Sequence, residues 1–202
     1  MPTTPYTSIT AAILAGGQGR RMGGQDKGLI DFQGRPLVKH LITALQPQCA
    51  TLLINANRNQ DRYQQYGYPV ISDELTDFQG PLAGFASAMH ATRTLYLMTV
   101  PCDGPQIAPD MADRLFQALQ REQAELAVAH DGERLQPVHA LLPIRLLGSL
   151  QRFLTQGGRK IDQWYAEHHM AQADFADIAP LFRNINTPEQ KQQLEQEQAP
   201  LS

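Results

Sequence analysis

Cysteine is scarce: Cys49 and Cys102 are the only two in 202 residues. Two thiols supply neither a disulfide framework nor a multi-cysteine zinc site, and such usage fits a reducing compartment. Basic charge is not in excess either. The formal net charge is −3, so no global field grips nucleic acid or an anionic membrane, and any polyanion must find a local positive pocket. Charged residues reach only 18%, which leaves glutamine to supply much of the surface polarity. Apolar runs never approach the roughly 18 residues of a membrane span. Residues 1–6 lack the basic end and apolar core of a signal peptide. These absences lead to the expectation of a cytoplasmic protein with no nucleic-acid or membrane partner.

What remains is enough for one packed domain. Apolar residues make up 42%, sufficient for a buried core in a chain of this length. Glycine (15) and proline (14) are near average shares, which excludes a collagen-like or linker-like chain. Short apolar runs at residues 8–14, 51–55, 95–100 and 125–130 read as buried strands. Residues 36–45, 80–92 and 109–123 carry apolar side chains at three- and four-residue spacing and read as helices. Near-continuous apolar strands alternating with helices predict a parallel sheet covered on both faces. Asp131-Gly132 lies between two strand-like runs and predicts a hairpin, hence an antiparallel element. The expected class is therefore α/β, a three-layer α/β/α domain over residues 1–202 with a mixed, mostly parallel sheet. Two further helices are expected at 144–155 and 160–169. Thr187-Pro188-Glu189-Gln190 predicts a last helix with an N-cap threonine, proline at the first position and a capping-box glutamine. Its polar continuation, residues 190–202, reads as a frayed tail.

The strongest local signal follows the first strand: Leu14-Ala15-Gly16-Gly17-Gln18-Gly19-Arg20-Arg21-Met22-Gly23-Gly24-Gln25-Asp26-Lys27. Five glycines in nine residues let the backbone turn sharply and present successive N–H groups to an anion. Arg20, Arg21 and Lys27 add positive charge, so the loop suits a phosphate chain; a mere connector needs none of the three. It is not a Walker A loop, because Gln25 stands where the lysine belongs. Nor is it a dinucleotide fingerprint, because Met22 replaces the third glycine.

The loop resembles the signature of the nucleotidyltransferases with a Rossmann-like fold, Leu-Ala-Gly-Gly followed by Arg-Met-Gly and Lys. Across most of the chain the resemblance narrows to the molybdenum cofactor guanylyltransferases. Four more segments agree in order: Ile54-Asn55-Ala56-Asn57-Arg58, Gly80-Pro81-Leu82-Ala83-Gly84, Pro101-Cys102-Asp103 and Asn184-Ile185-Asn186-Thr187-Pro188-Glu189. The resemblance implies transfer of GMP from GTP to the terminal phosphate of molybdopterin, with Mg²⁺ as cofactor and pyrophosphate as by-product. It also implies an N-terminal GTP-binding part and a C-terminal pterin-binding part. The expected state is a monomer in transient contact with molybdopterin-biosynthesis proteins and apo-molybdoenzymes.

Site residues follow from position and from that resemblance. Asp103 ends an apolar strand, where open α/β sheets bind ligands. From position alone it either holds Mg²⁺ or caps a turn; the resemblance favours the metal. Lys27, Arg21 and Asp103 are the expected catalytic set. Leu14, Ala15, Gly16 and Gly17 are expected to line the nucleotide. Asp73 follows the short strand at 69–72, and the resemblance puts it on the guanine nucleotide. Asn55 ends the second strand and reads either as a base or ribose contact or as a turn residue. Gly80 and Gly84 open a helix, through which the backbone either approaches a flat base or simply begins with proline at N1. Asn184 and Asn186 face the same way on an extended segment while Ile185 faces the core. They either read the pterin edge or close a sheet edge. Arg159 and Lys160 are pterin-phosphate candidates, or a solvated basic pair. The histidines form no metal set, with His90, His130 and His139 read as packing or surface groups, and Cys102, lacking a base partner, reads as buried structure.

A phosphate monoester has its second pKa near 6 and is already dianionic at pH 7, so the acceptor requires no general base. Two other readings stay open: a cytidylyl or sugar-phosphate transferase using the same loop, and a non-catalytic carrier of the pterin. A GTPase switch fits poorly without Walker A.

Overall fold

A computed structural model describes residues 5–17, 24–74 and 80–197 of the chain. In chain order its strands are β1 (Ile9–Leu14), β2 (Asp31–Phe32), β3 (Arg35–Pro36), β4 (Thr51–Asn55), β5 (Val70–Ile71), β6 (Tyr96–Pro101), β7 (Leu126–His130), β8 (Leu135–Pro143) and β9 (Met170–Asp174). Its helices are α1 (Leu37–Leu45), α2 (Gln60–Gln64), α3 (Pro81–Ala91), α4 (Met111–Arg121), α5 (Leu147–Thr155), α6 (Ile161–Tyr165) and α7 (Pro188–Glu197). Seven strands form one sheet in the order β5-β4-β1-β6-β8-β7-β9. Every pairing is parallel except those of β8 with β6 and β7. The mixed, mostly parallel sheet is as expected, and β8 is the antiparallel element that the Asp131-Gly132 hairpin delivers.

The apolar runs become strands because both sheet faces are covered. On one face α1 and α4 bring Leu41, Leu45 and Leu115 against Ile13, Met98 and Val100. On the other, α3, α5 and α6 bring Phe85, Leu150 and Trp164 against Ala12, Leu97 and Val128. Each such side chain, fully buried, contributes about 1.5–3 kcal/mol, so neither helical layer is dispensable.

Connectivity positions the site. The chain steps outward from β1 to β4 and β5, then returns past β1 to β6. The connections therefore diverge between β1 and β6, where open α/β sheets leave a crevice at the strands' carboxyl ends. Register brings three of those ends level: Leu14 lies beside Asn55 of β4 and beside Pro101 of β6.

Three features differ from the sequence reading. Residues 31–36 form a small hairpin, β2–β3, whose turn residues Gln33 and Gly34 both have positive φ, as a type I′ turn requires. Only α6 occupies the region expected to be helical through residue 169, and β9 follows it as an edge strand with alternating burial. The last helix does not fray at Gln190. It runs to Glu197 because Leu194 is buried with Phe32, Leu37 and Ile185 in a third cluster. The Glu195 carboxylate also accepts the Gln33 N–H, tying α7 to the hairpin. Among the described residues, no helix is long and apolar enough to cross a membrane.

Candidate active site

Two polar clusters lie at the carboxyl ends of β1, β4 and β6. Backbone bonds hold these ends together, with the Ala15 N–H donating to Asn55 O at 2.7 Å and the Cys102 N–H to Leu14 O at 3.1 Å.

The first cluster surrounds Asp103, just beyond β6. Lys27 begins a short 3₁₀ turn, Lys27–Leu29. Its Nζ donates to Asp103 Oδ2 at 3.0 Å and to Asn186 Oδ1 at 2.5 Å. The segment carrying Asn186 is laid across Asp103, since the Ile185 N–H donates to Asp103 O at 2.7 Å. Ile185 is fully buried while Asn184 and Asn186 turn the other way, as the extended reading predicts. Gln190 then fixes this segment from α7: its Oε1 accepts the Asn186 N–H at 2.8 Å, and the Gln190 N–H donates to Thr187 Oγ1. Two oxygens are left over. Asp103 Oδ1 and Asn184 Oδ1 are buried, and neither has a hydrogen-bond partner among the described residues. Orphaned hard oxygen acceptors beside a carboxylate are what a Mg²⁺-type ion takes. Among the described residues there is no group of three His, Cys, Asp or Glu side chains able to hold a metal. The donor set thus fits an ion bound largely by phosphate and water, with one protein carboxylate.

The second cluster is built on β4 and the segment after β5. Asn55 Nδ2 donates to Asp73 Oδ1 at 2.9 Å, and Asn57 Nδ2 to Asp73 Oδ2 at 2.7 Å. The Asp73 N–H returns a bond to Asn57 Oδ1 at 2.8 Å. Glycine is required on two sides. A Cβ on Gly16 would lie 2.9 Å from Asn57 Nδ2, and one on Gly84 would lie 2.8 Å from Asn55 Oδ1. Gly80, at φ 76, caps α3 and lies against Arg159. Leu14, Ala15, Gly16 and Gly17 lead from this cluster into the glycine loop, whereas Arg20 and Arg21 lie outside the described residues.

Of the basic pair at 159–160, Arg159 Nη1 donates to the carbonyls of Leu154 and Gly158. Its neighbour is Gly80, and no hydrogen bond among the described residues joins it to Asn184 or Asn186. Cys102 is buried, and burial, reinforced by the Asp103 charge, pushes its thiol pKa up; this fits a structural residue and not a nucleophile. His139 is buried against the Phe182 ring, and burial holds its pKa down at about 3. A cleft of about 410 Å³ opens beside the first cluster, lined by Asp131, Arg134, Arg183, Asn184, Asn186 and Gln190 among others.

Sequence reasoning passed over several residues. Asn57 and Arg58 sit in the Asn55-Ala56-Asn57-Arg58 segment, and the two-residue spacing from Asn55 to Asn57 was the available signal. Asp26 and Tyr63 carried none. They lie 37 residues apart, yet Tyr63 Oη donates to Asp26 Oδ1 at 2.5 Å.

Comparison with known proteins identifies the family. The family model described as the MobA-like NTP transferase domain matches residues 11–174. A molybdenum cofactor guanylyltransferase of Shewanella sediminis is 54% identical over 186 residues, covering 92% of this chain and 95% of that protein. One from Shewanella loihica is 53% identical over the same length, with the same coverage. Among solved structures, molybdopterin-guanine dinucleotide biosynthesis protein A from Archaeoglobus fulgidus superposes with a TM-score of 0.78. It covers 95% of this chain and all of that one; at 19% identity it attests the fold alone.

Proposed function

Because the chain belongs to the family of MobA-like NTP transferase domains and is a nucleotidyltransferase of molybdenum cofactor biosynthesis, we propose that it transfers GMP from GTP to the terminal phosphate of molybdopterin. The acceptor phosphate oxygen forms the new bond to the α-phosphorus, the bond to the bridging oxygen breaks, and pyrophosphate leaves. The observation that carries this reading is the Lys27–Asp103–Asn186 cluster, with two orphaned oxygens, at the sheet's switch point.

Each group has a task. The glycine loop and Lys27 hold the triphosphate, with Arg21 contributing from the same loop. Asp103 would hold Mg²⁺ through its unpaired Oδ1. When bound, the ion neutralises charge on the phosphates, which lets two anions meet. Asp73 accepts from guanine N1–H and N2–H₂. A carboxylate offers about four acceptor positions, so its two bonds to Asn55 and Asn57 leave capacity for the base. Gly16, Gly80 and Gly84 keep backbone close to the nucleotide. Asn184, Asn186 and the adjoining cleft take the pterin. The enzyme works as a cytoplasmic monomer that meets its pterin-donating and cofactor-accepting proteins transiently.

The test is to supply each of the four NTPs with Mg²⁺ and molybdopterin and to measure pyrophosphate. Release with GTP alone is expected. Release with CTP, or only with a sugar phosphate as acceptor, moves the reading to a cytidylyl or sugar-phosphate transferase. No release with any NTP makes the protein a pterin carrier.

A further inference from the structure

The side of Lys27 facing away from the site is held as tightly as its ammonium. Asp26 precedes it in extended conformation and turns its carboxylate towards α2, with a side chain only 4% exposed. That carboxylate accepts from Tyr63 Oη at 2.5 Å and Asn59 Nδ2 at 2.9 Å, with Arg58 Nε 3.8 Å away. Arg58 also closes the end of the glycine loop: Nη1 donates to Gly24 O at 2.8 Å and Nη2 to Gln25 O at 2.9 Å. On the other side of Lys27, a Cβ on Gly28 would lie 2.5 Å from Tyr63 Oη, so the turn sits against α2 as closely as glycine allows. Residues 24, 25, 26 and 28 are therefore all fixed by Arg58 or Tyr63. Residue 27 alone points the opposite way, to Asp103 and Asn186.

We propose that Tyr63 and Arg58, with Asp26 between them, are positioning residues that aim the Lys27 ammonium at the nucleotide phosphates. This rests on the reading of Lys27 as a phosphate ligand. A lysine on a flexible four-carbon stem binds a phosphate well only if its backbone is fixed and the angular search is small. Burial raises the Tyr63 pKa, which keeps the phenol a donor to Asp26. A purely structural role is the competing account, since any buried carboxylate needs partners. The two differ in coupling: positioning acts through Lys27, whereas structural support acts whatever residue 27 is.

The experiment measures binding of GTP with Mg²⁺, and of guanosine, to Lys27→Ala, Tyr63→Phe, Arg58→Lys and the two doubles with Lys27→Ala. Tyr63→Phe keeps the ring and removes one bond. Arg58→Lys keeps the charge and removes the fork that spans two carbonyls; its side chain is one-third exposed, so the lysine ammonium can reach water. Each single change is expected to weaken GTP about tenfold, in line with losing a bond to a charged group. Guanosine should be unaffected, and neither change should weaken GTP further in the Lys27→Ala background. Equal losses with and without Lys27, or equal losses for GTP and guanosine, overturn the positioning role. Should Lys27→Ala itself bind GTP normally, the phosphate reading of Lys27 falls instead, and the positioning role falls with it. Melting temperatures of all variants accompany the titrations; a drop in Tyr63→Phe leaves the decision to Arg58→Lys.

Discussion

The two clusters at the head of the sheet are made differently. Around Asp73, each carboxylate oxygen is already bonded to an asparagine amide, and the return bond from the Asp73 N–H closes the set. Around Asp103, one carboxylate oxygen holds Lys27 while the other, with Asn184 Oδ1, is buried and unpaired among the described residues. A closed network is rigid and discriminates between ligands by what it leaves unsatisfied. An open one carries a standing cost of about 1–3 kcal/mol per buried orphan, a cost that a bound cation removes. The contrast points to specificity at the Asp73 cluster and charge handling at the Asp103 cluster.

The largest test of that division is Asp103→Ala. Loss of several kcal/mol of charge stabilisation lowers turnover by about two decades or more. The fold should persist, because the Ile185 N–H bonds the backbone of Asp103 and not its side chain. Near-normal turnover at saturating Mg²⁺ would remove the metal from Asp103 and erase the contrast.

Acid should destabilise the fold beside the Asp103 cluster. His139 packs on Phe182 at 4.9 Å between ring centres, two residues before Asn184. Its pKa is held down at about 3 when folded, against 6.5 in the open. Below pH 6.5 the unfolded chain binds a proton that the native chain refuses, so stability falls as pH drops towards 3. The slope from this one group approaches about 1.4 kcal/mol per pH unit. Urea midpoints across that range should be flatter for His139→Leu than for the parent. Parallel curves would mean that the ring is not the acid-sensitive group.

Asn57→Ala probes the Asp73 cluster at smaller scale. It removes one of the two amides that orient Asp73. A preference for GTP over ATP of about tenfold corresponds to one mismatch near 1.4 kcal/mol. That preference should shrink several-fold, with the Mg²⁺ dependence of turnover unchanged. A shift in the Mg²⁺ requirement instead would show that the clusters are coupled.

How much of this was legible depended on range. Strands such as Ile9–Leu14 and Thr51–Asn55 could be read because burial on both faces leaves a continuous apolar run. That Asp103 and Lys27 lie together could be anticipated, because both the strand end and the glycine loop open on the same edge of such a sheet. Asp26 and Arg58 could not, since their partners lie more than thirty residues away and nothing in either segment names the other. The polar helix α7 defeated periodicity for a related reason. Its one buried side chain, Leu194, meets Phe32 and Leu37 in a part of the chain whose hairpin was itself missed.

That helix supplies the smallest and most selective test. Thr187 Oγ1 accepts the Gln190 N–H at the start of α7, and Gln190 in turn holds the Asn186 backbone. Thr187→Ala removes an N-cap, worth about 0.5–2 kcal/mol and typically about 1. For a chain of this size that lowers the melting temperature by about 2–4 °C. Gln190 then loses part of its anchorage, Asn186 is less firmly placed beside Lys27, and turnover should fall modestly. The Asp73 cluster has no bond to this segment among the described residues, so the GTP-over-ATP ratio should stay at the parent's value. An altered ratio would show that α7 supports base recognition as well, and that the two clusters are one unit. A lower melting temperature with turnover and ratio both unchanged would show that Asn186 keeps its place without the cap, held by Ile185 and Lys27.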